Sequence, residues 1–176
     1  MEIYLVRHTK VAVPPGIVYG HTDVSLSDSF EEEAAVVRKK VEGICFDAVW
    51  SSPLSRCVRL ANYCGFRNIQ TDDRLKELNF GEWEMKSWDE ISQDARSERW
   101  FEDWIHVCTP GGESFQGQYD RVSNFLDEIC SLQKSRVLVF AHGGVLTCAN
   151  VYFGKYPLEE AFKHIPAHGE VLVAEV

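Results

Sequence analysis

The apolar positions of this chain fall into short continuous runs, separated by longer stretches in which they recur with a helical period. Residues 2–6 (EIYLV) are short and β-branched, which predicts a first strand. Over residues 27–43, Phe30, Ala34, Val37 and Val41 share one helical face, with glutamates early and Gly43 at the end. That pattern predicts an amphipathic helix. Residues 46–50 (FDAVW) predict a second strand, and 53–65 a helix with Pro53 near its first turn and Gly65 at its end. Residues 68–71 are a weaker strand candidate, 74–83 read as a loop, and 87–106 as two helices carrying Trp88, Trp100, Phe101 and Trp104. After a turn at 109–112 (TPGG), residues 113–132 predict a long helix with Phe115, Val122, Leu126 and Ile129 on one face. The clearest buried strand is 136–141 (RVLVFA), followed by a helix over 143–153 and a closing strand over 170–175 (EVLVAE). Such alternation predicts an α/β fold, a three-layer αβα sandwich around a mostly parallel central sheet.

Length and composition narrow the class. The 176 residues suit a single domain spanning 1–176, with residues 84–110 as a helical lid or insertion. An apolar share of 45% and a charged share of 26% exclude a disordered chain or a pure coiled coil. No apolar run is long enough to span a bilayer as a helix. The opening MEIYLVRHTK carries an early acidic residue and no long apolar stretch, so no secretory signal is expected and the location expected is cytoplasmic.

The net charge of −9 disfavours nucleic acid as a partner, because an acidic surface repels phosphate backbones at long range. It leaves room for a small anion held by a local cluster of Arg and His. Six cysteines show neither a C-x-x-C pair nor regular spacing, and they read as free thiols, not a disulfide framework or a metal site. The expected partner is a small phosphorylated metabolite, with no nucleic acid and no membrane. Homodimerisation is left open.

In open α/β sheets, ligands bind outside the carboxyl ends of the strands. Arg7 and His8 directly follow the first predicted strand, and Ser51-Ser52-Pro53-Leu54-Ser55-Arg56 follows the second. Glu77 lies in the loop after the third, and His142-Gly143-Gly144 follows RVLVFA. Each has a bland reading: a strand-end histidine can be a hydrogen-bonded structural residue, Arg56 a helix bridge, Glu77 a solvated loop charge. Core packing needs none of these types at strand ends, however, and their convergence on one edge points to a site. The set suits phosphoryl transfer. Guanidiniums fork onto phosphate oxygens, a neutral imidazole attacks phosphorus, and a second histidine stabilises charge in the transition state. A carboxylic acid protonates the leaving oxygen and then activates water. Such a set needs no metal and no cofactor, since the cationic side chains supply the electrostatics.

Five blocks carry a resemblance. In order, Leu5-Val6-Arg7-His8-Thr9, Ser51–Arg56, Arg74-Leu75-Lys76-Glu77 through Glu84, Gly111-Gly112-Glu113-Ser114 and Ala141-His142-Gly143-Gly144 resemble those of the histidine phosphatase (phosphoglycerate mutase-like) superfamily. The resemblance implies a phosphoglycerate mutase-like fold, with His8 as the nucleophile that becomes phosphohistidine. Arg7, Arg56 and His142 would form the phosphate pocket, with a contact from the Gly143 amide, and Glu77 would be the proton donor ahead of Glu82 and Glu84. The chain departs from the commoner pattern by having Thr9 and Lys10 after His8, and Val13-Pro14-Pro15 where the mutases carry Asn, which points away from mutase activity. R-H-T-x-V, Pro14, Gly16 and the run Tyr19-Gly20-His21-Thr22-Asp23-Val24 are similar to the α-ribazole-5′-phosphate phosphatases of cobalamin assembly. On that resemblance Tyr19, Gly20 and His21 are candidate substrate contacts. Tyr19, His21 and the tryptophans of 83–104 either form a lid that stacks on a base or pack the insertion against the sheet. His106, His164 and His168 have no partner visible in sequence and read as structural or surface residues.

Rival functions are weaker. Cys130 and Arg136 have the Cys-x5-Arg spacing of cysteine phosphatases, but the span lacks glycine and precedes a strand where that loop must follow one. Neither G-x-G-x-x-G nor G-x-x-x-x-G-K-[ST] follows any strand, which disfavours a dinucleotide or P-loop enzyme. A phosphometabolite-binding domain without turnover is disfavoured because His8 and Glu77 are both present. A mutase of the same superfamily is the serious alternative.

Overall fold

The computed structural model describes residues 1–176. Its five strands are β1 (Glu2–Arg7), β2 (Ala48–Ser51), β3 (Gln70–Thr71), β4 (Arg136–Ala141) and β5 (Val171–Glu175). They form one sheet in the order β3-β2-β4-β1-β5, parallel except for β5, which runs antiparallel to β1. The fold is the α/β sandwich expected from the alternation.

Side-chain alternation explains the layers. On one face Ile3 and Leu5 of β1, with Val137, Val139 and Ala141 of β4, pack against α5 (Phe115–Ser131) and α6 (Gly143–Tyr152). On the other, Val6, Val49, Leu138 and Phe140 pack against α1 (Phe30–Val41) and α2 (Ser55–Tyr63). Because β4 is central and covered on both faces, Val137 through Ala141 are all buried, and its sequence is continuously apolar. Fully burying each such side chain stabilises the fold by about 1.5–3 kcal/mol, which makes β4 the keel of the sheet.

Several boundaries differ from expectation for identifiable reasons. The first helix starts at Phe30, not at residue 27, because the Phe30 amide closes a turn onto the Ser27 carbonyl at 3.0 Å. The second strand starts at Ala48, after Asp47 turns its carboxylate to the amides of Ser135 and Arg136. The long helix starts at Phe115 because Ser114 is its N-cap, accepting from the Gly117 amide at 3.1 Å. The third strand is only Gln70–Thr71. The 74–83 stretch, expected as plain loop, overlaps two 3₁₀ turns, Asp73–Leu75 and Gly81–Trp83.

Within 84–110, α3 (Trp88–Ser92) opens with a capping box between Ser87 and Glu90, and α4 (Ser97–Glu102) follows. Trp83, Ile91 and Trp100 pack there with Val18 in a small core of their own. A 3₁₀ turn, Leu158–His164, links α6 to the segment before β5. No helix is long and apolar enough to cross a membrane.

Candidate active site

The carboxyl ends of β1, β2 and β4 meet the amino end of β5 at one edge of the sheet. There the first strand ends in Arg7, the His8 amide bonds the Ala141 carbonyl at 3.0 Å, and the Gly169 amide bonds the His8 carbonyl at 3.2 Å. His8 is 1% exposed, and its Nδ1 lies 2.6 Å from the Thr9 carbonyl oxygen. A carbonyl only accepts, so Nδ1 carries the ring proton and Nε2 keeps its lone pair. Burial first, and then the positive charge of Arg56, hold His8 well below the ordinary histidine range, so the ring is neutral.

Arg56, in the first turn of α2, is fully buried. Its Nε donates to His142 Nδ1 at 3.3 Å, Nη1 to the Thr22 carbonyl at 2.9 Å and Nη2 to the Gly20 carbonyl at 2.6 Å. Since His142 accepts at Nδ1, its proton sits on Nε2, which faces Ser52 Oγ at 2.8 Å. Burial, with Arg56 beside it, also holds His142 well below its ordinary range. The rings of His8 and His142 meet edge-on at 5.2 Å.

Arg7 donates through Nη1 to the Pro166 carbonyl and through Nη2 to His168 Nε2 at 3.1 Å, and its buried Nε has no partner. Neither arginine is paired with a carboxylate: all their partners are carbonyls and imidazole nitrogens. One buried and one half-buried cation without a counter-ion leave a local positive field at this edge, the electrostatics an anion would find favourable.

Glu77 is held by three donors. Its Oε1 accepts from the Leu78 amide and from Gln118 Nε2, both at 2.9 Å, and Oε2 from the Gly144 amide at 3.1 Å. A β-carbon on Gly144 would lie 2.3 Å from Glu77 Oε1, so only glycine lets the start of α6 approach this carboxylate. The α6 N-terminus also aims its dipole at the same space. Arg121 of α5 fixes the loop from behind, donating to the carbonyls of Arg74, Lys76 and Glu77 and to Glu113.

A cavity of about 200 Å³ opens at this edge, with Arg7, His8, Tyr19, Glu77, Gly143 and Gly144 on its walls. Arg56 and His142 stand behind that wall, and the Tyr19 ring lies 5.5 Å from the Arg56 guanidinium carbon. Of the candidate substrate contacts Tyr19, Gly20 and His21, only Tyr19 lines the cavity, and Gly20 and His21 stand outside its walls. Their amides bond the Glu84 carboxylate at 2.9 and 3.0 Å, while the Gly20 carbonyl holds Arg56. A β-carbon on Gly20 would overlap the Leu78 carbonyl, so the residue brings two loops together. Glu84 also accepts from the Thr22 and Phe80 amides. Burial pushes its carboxyl up, but these bonds prevail and hold it below the ordinary range. Glu82 pairs with Arg96.

The structure adds residues that the sequence did not announce. His106 bonds Asp103 and His164 stacks on Tyr156, whereas His168 stands in the site with its ring 5.3 Å from His8. Burial first, and then Arg7, lower it to about 4, so it is a neutral acceptor for Arg7. The sequence carries no signal for it: the last strand runs antiparallel and so brings the residues before it to the edge where parallel strands end. Nothing in the sequence singles out Gln118 or Arg121 within the predicted helix over 113–132.

All six cysteines are free. Cys130 and Arg136 lie at the opposite end of the sheet, where Arg136 pairs with Glu2, so they form no phosphate loop. No three His, Cys, Asp or Glu side chains are grouped to hold a metal ion.

Fold and site together define an α/β protein with a histidine-centred anion pocket at the switch edge of its sheet. The chain belongs to the histidine phosphatase superfamily, branch 1, whose family model matches residues 3–176, and it is a phosphoric monoester hydrolase of that class. It is 32% identical over 154 residues to the adenosylcobalamin/α-ribazole phosphatase of Escherichia coli K12, covering 84% of this chain and 76% of that protein. It is 31% identical over 156 residues to a probable phosphoglycerate mutase of Erwinia tasmaniensis, covering 83% and 71%. The crystal structure of the α-ribazole phosphatase from Shigella flexneri superposes with a TM-score of 0.92 at 24% identity, covering 100% of this chain and 91% of that one, and shares its fold.

Proposed function

We propose that the protein hydrolyses phosphomonoesters through a phosphohistidine on His8, and that its substrate is α-ribazole 5′-phosphate or the related cobalamin 5′-phosphate. The observation that carries the mechanism is the commitment of His8 Nδ1 to the Thr9 carbonyl, which leaves Nε2 as the nucleophile beside Arg7 and Glu77. The Nε2 lone pair attacks phosphorus, the ester P–O bond breaks, and the leaving oxygen takes a proton from Glu77. Water, deprotonated by the Glu77 carboxylate, then attacks the phosphohistidine. The P–N bond breaks, its electron pair returns to Nε2, and inorganic phosphate leaves. Arg7, Arg56 and His142 stabilise the equatorial oxygens in both steps, and the Gly143 amide adds to them at the α6 N-terminus.

The run from Arg7 through Val24 and the relative at 32% identity support the cobalamin substrate. The test is phosphate release, with EDTA present, from a panel containing α-ribazole 5′-phosphate and 3-phosphoglycerate, beside His8→Ala. Metal-independent release that is greatest on the α-ribazole ester and lost by at least about 10³-fold in the variant is expected. Equal release from many esters would remove the cobalamin assignment and keep the mechanism. Conversion of 3-phosphoglycerate to its isomer would make the protein a mutase.

A further inference from the structure

A second cavity adjoins the phosphate pocket and shares Phe80, Trp88, Phe162 and Ile165 with it. It is larger, about 380 Å³ against about 200 Å³, and Trp100, Phe101 and Trp104 complete its walls without any polar side chain. Eight large apolar side chains are exposed on this protein, and four of them, Trp88, Phe101, Phe162 and Ile165, converge here at 39–49% exposure. Singly scattered apolar residues need no explanation, but a contiguous patch beside a reaction site does. The walls are braced rather than loose. Trp88 stacks on the buried Trp100 at 6.0 Å and 22°, and Phe162 lies on Trp104 at 4.1 Å and 33°.

We propose that this groove is the specificity subsite for a flat, apolar aromatic ring on the leaving-group side of the ester. The proposal deepens the phosphatase reading and rests on it. The direction follows from the loop that carries the proton donor. Phosphate is fixed at His8 and Arg7, the leaving oxygen lies at Glu77, and Phe80, three residues further on, lines both cavities. A leaving group that exits past Glu77 therefore runs along Phe80 and Trp88 into the groove. The walls present ring faces and no charged or accepting side chain, their only polar atoms being the indole N–H groups, so they select by shape and against polarity. A benzimidazole presents apolar edges to such walls. An adenine would strip water from its amino group, which donates, with no acceptor side chain in the walls to replace it, at a cost of about tenfold in affinity.

The test compares kcat/KM for α-ribazole 5′-phosphate, adenosine 5′-monophosphate and ribose 5-phosphate in the intact protein and in Phe101→Ala and Trp88→Ala. The expected order places the benzimidazole ester at least about tenfold above the other two, with that ratio falling about tenfold in either variant. A ratio near one in the unaltered protein, or a ratio that survives both substitutions while the rates fall together, overturns the subsite. If no ester is hydrolysed, the phosphatase reading fails on its own, and binding of dephosphorylated α-ribazole decides the groove. Saturable quenching of tryptophan fluorescence, weakened by Phe101→Ala, sustains the proposal, and absence of quenching ends it. Sedimentation supplies a last check: a dimer that Phe101→Glu converts to monomer would make the groove a self-association surface and overturn the assignment.

Discussion

Three imidazoles crowd the carboxyl edge of the sheet, and all are held neutral. Rings of His142 and His168 stand 5.2 and 5.3 Å from His8, and each histidine is pushed below its ordinary range, by burial first and then by nearby cations. A base held down in this way binds fewer protons folded than unfolded. The stability it contributes above about pH 6.5 is therefore lost as the pH falls, for His168 toward about 4. Thermal unfolding should show the melting temperature dropping through that window. In His168→Gln, whose amide oxygen can still accept from Arg7, the drop should be shallower by the uptake of about one proton. An unchanged slope would mean that the ring takes up its proton freely in the folded state. Arg7, His8, Arg56, Glu77 and His142 were legible in sequence because they follow strands of one direction. His168 was not, because it precedes a strand whose reversed direction leaves no mark in its own residues.

At the scale of elements, α5 both covers the sheet and shapes the Glu77 loop. Its apolar stripe of Phe115, Val122, Leu126 and Ile129 was readable from spacing alone, and β4 from its unbroken run. Gln118, buried along that stripe, and Arg121 beside it hold the Glu77 loop, and the spacing singles out neither. That loop has no period to read, since its shape comes from two 3₁₀ turns and from the amides gathered by Glu84 and Glu113. Arg121→Met should strand Glu113 and three carbonyls, costing about 2–4 kcal/mol in urea denaturation. It should also lower kcat more than it raises KM, because the carboxylate and not the anion site loses its support. A loss confined to stability would show that the loop keeps its shape without the guanidinium.

The molecule as a whole carries a net charge of −9, yet it keeps one arginine buried and a second half-buried without a carboxylate partner. Its long-range field disfavours the anion that its pocket is built to hold, so capture depends on contact and not on steering. Inorganic phosphate should therefore stabilise the fold by about 2.7 kcal/mol at a hundred times its dissociation constant, a rise of about 5–10 °C in melting temperature. Chloride at matched ionic strength should not reproduce the rise, and Arg56→Gln should abolish it. Equal effects of the two salts would show that the arginines are satisfied by the protein alone.

The contact between Arg7 and His168 spans 161 positions of the chain. Synthesis delivers the neighbourhood of His8 long before the residue that brackets it from the other side. The sheet can collapse around β4 in the interval, but the anion pocket closes only when β5 zips onto β1 and carries His168 into place. In refolding, recovery of phosphate binding should accordingly trail recovery of helix content, making the pocket a clock for the final docking event.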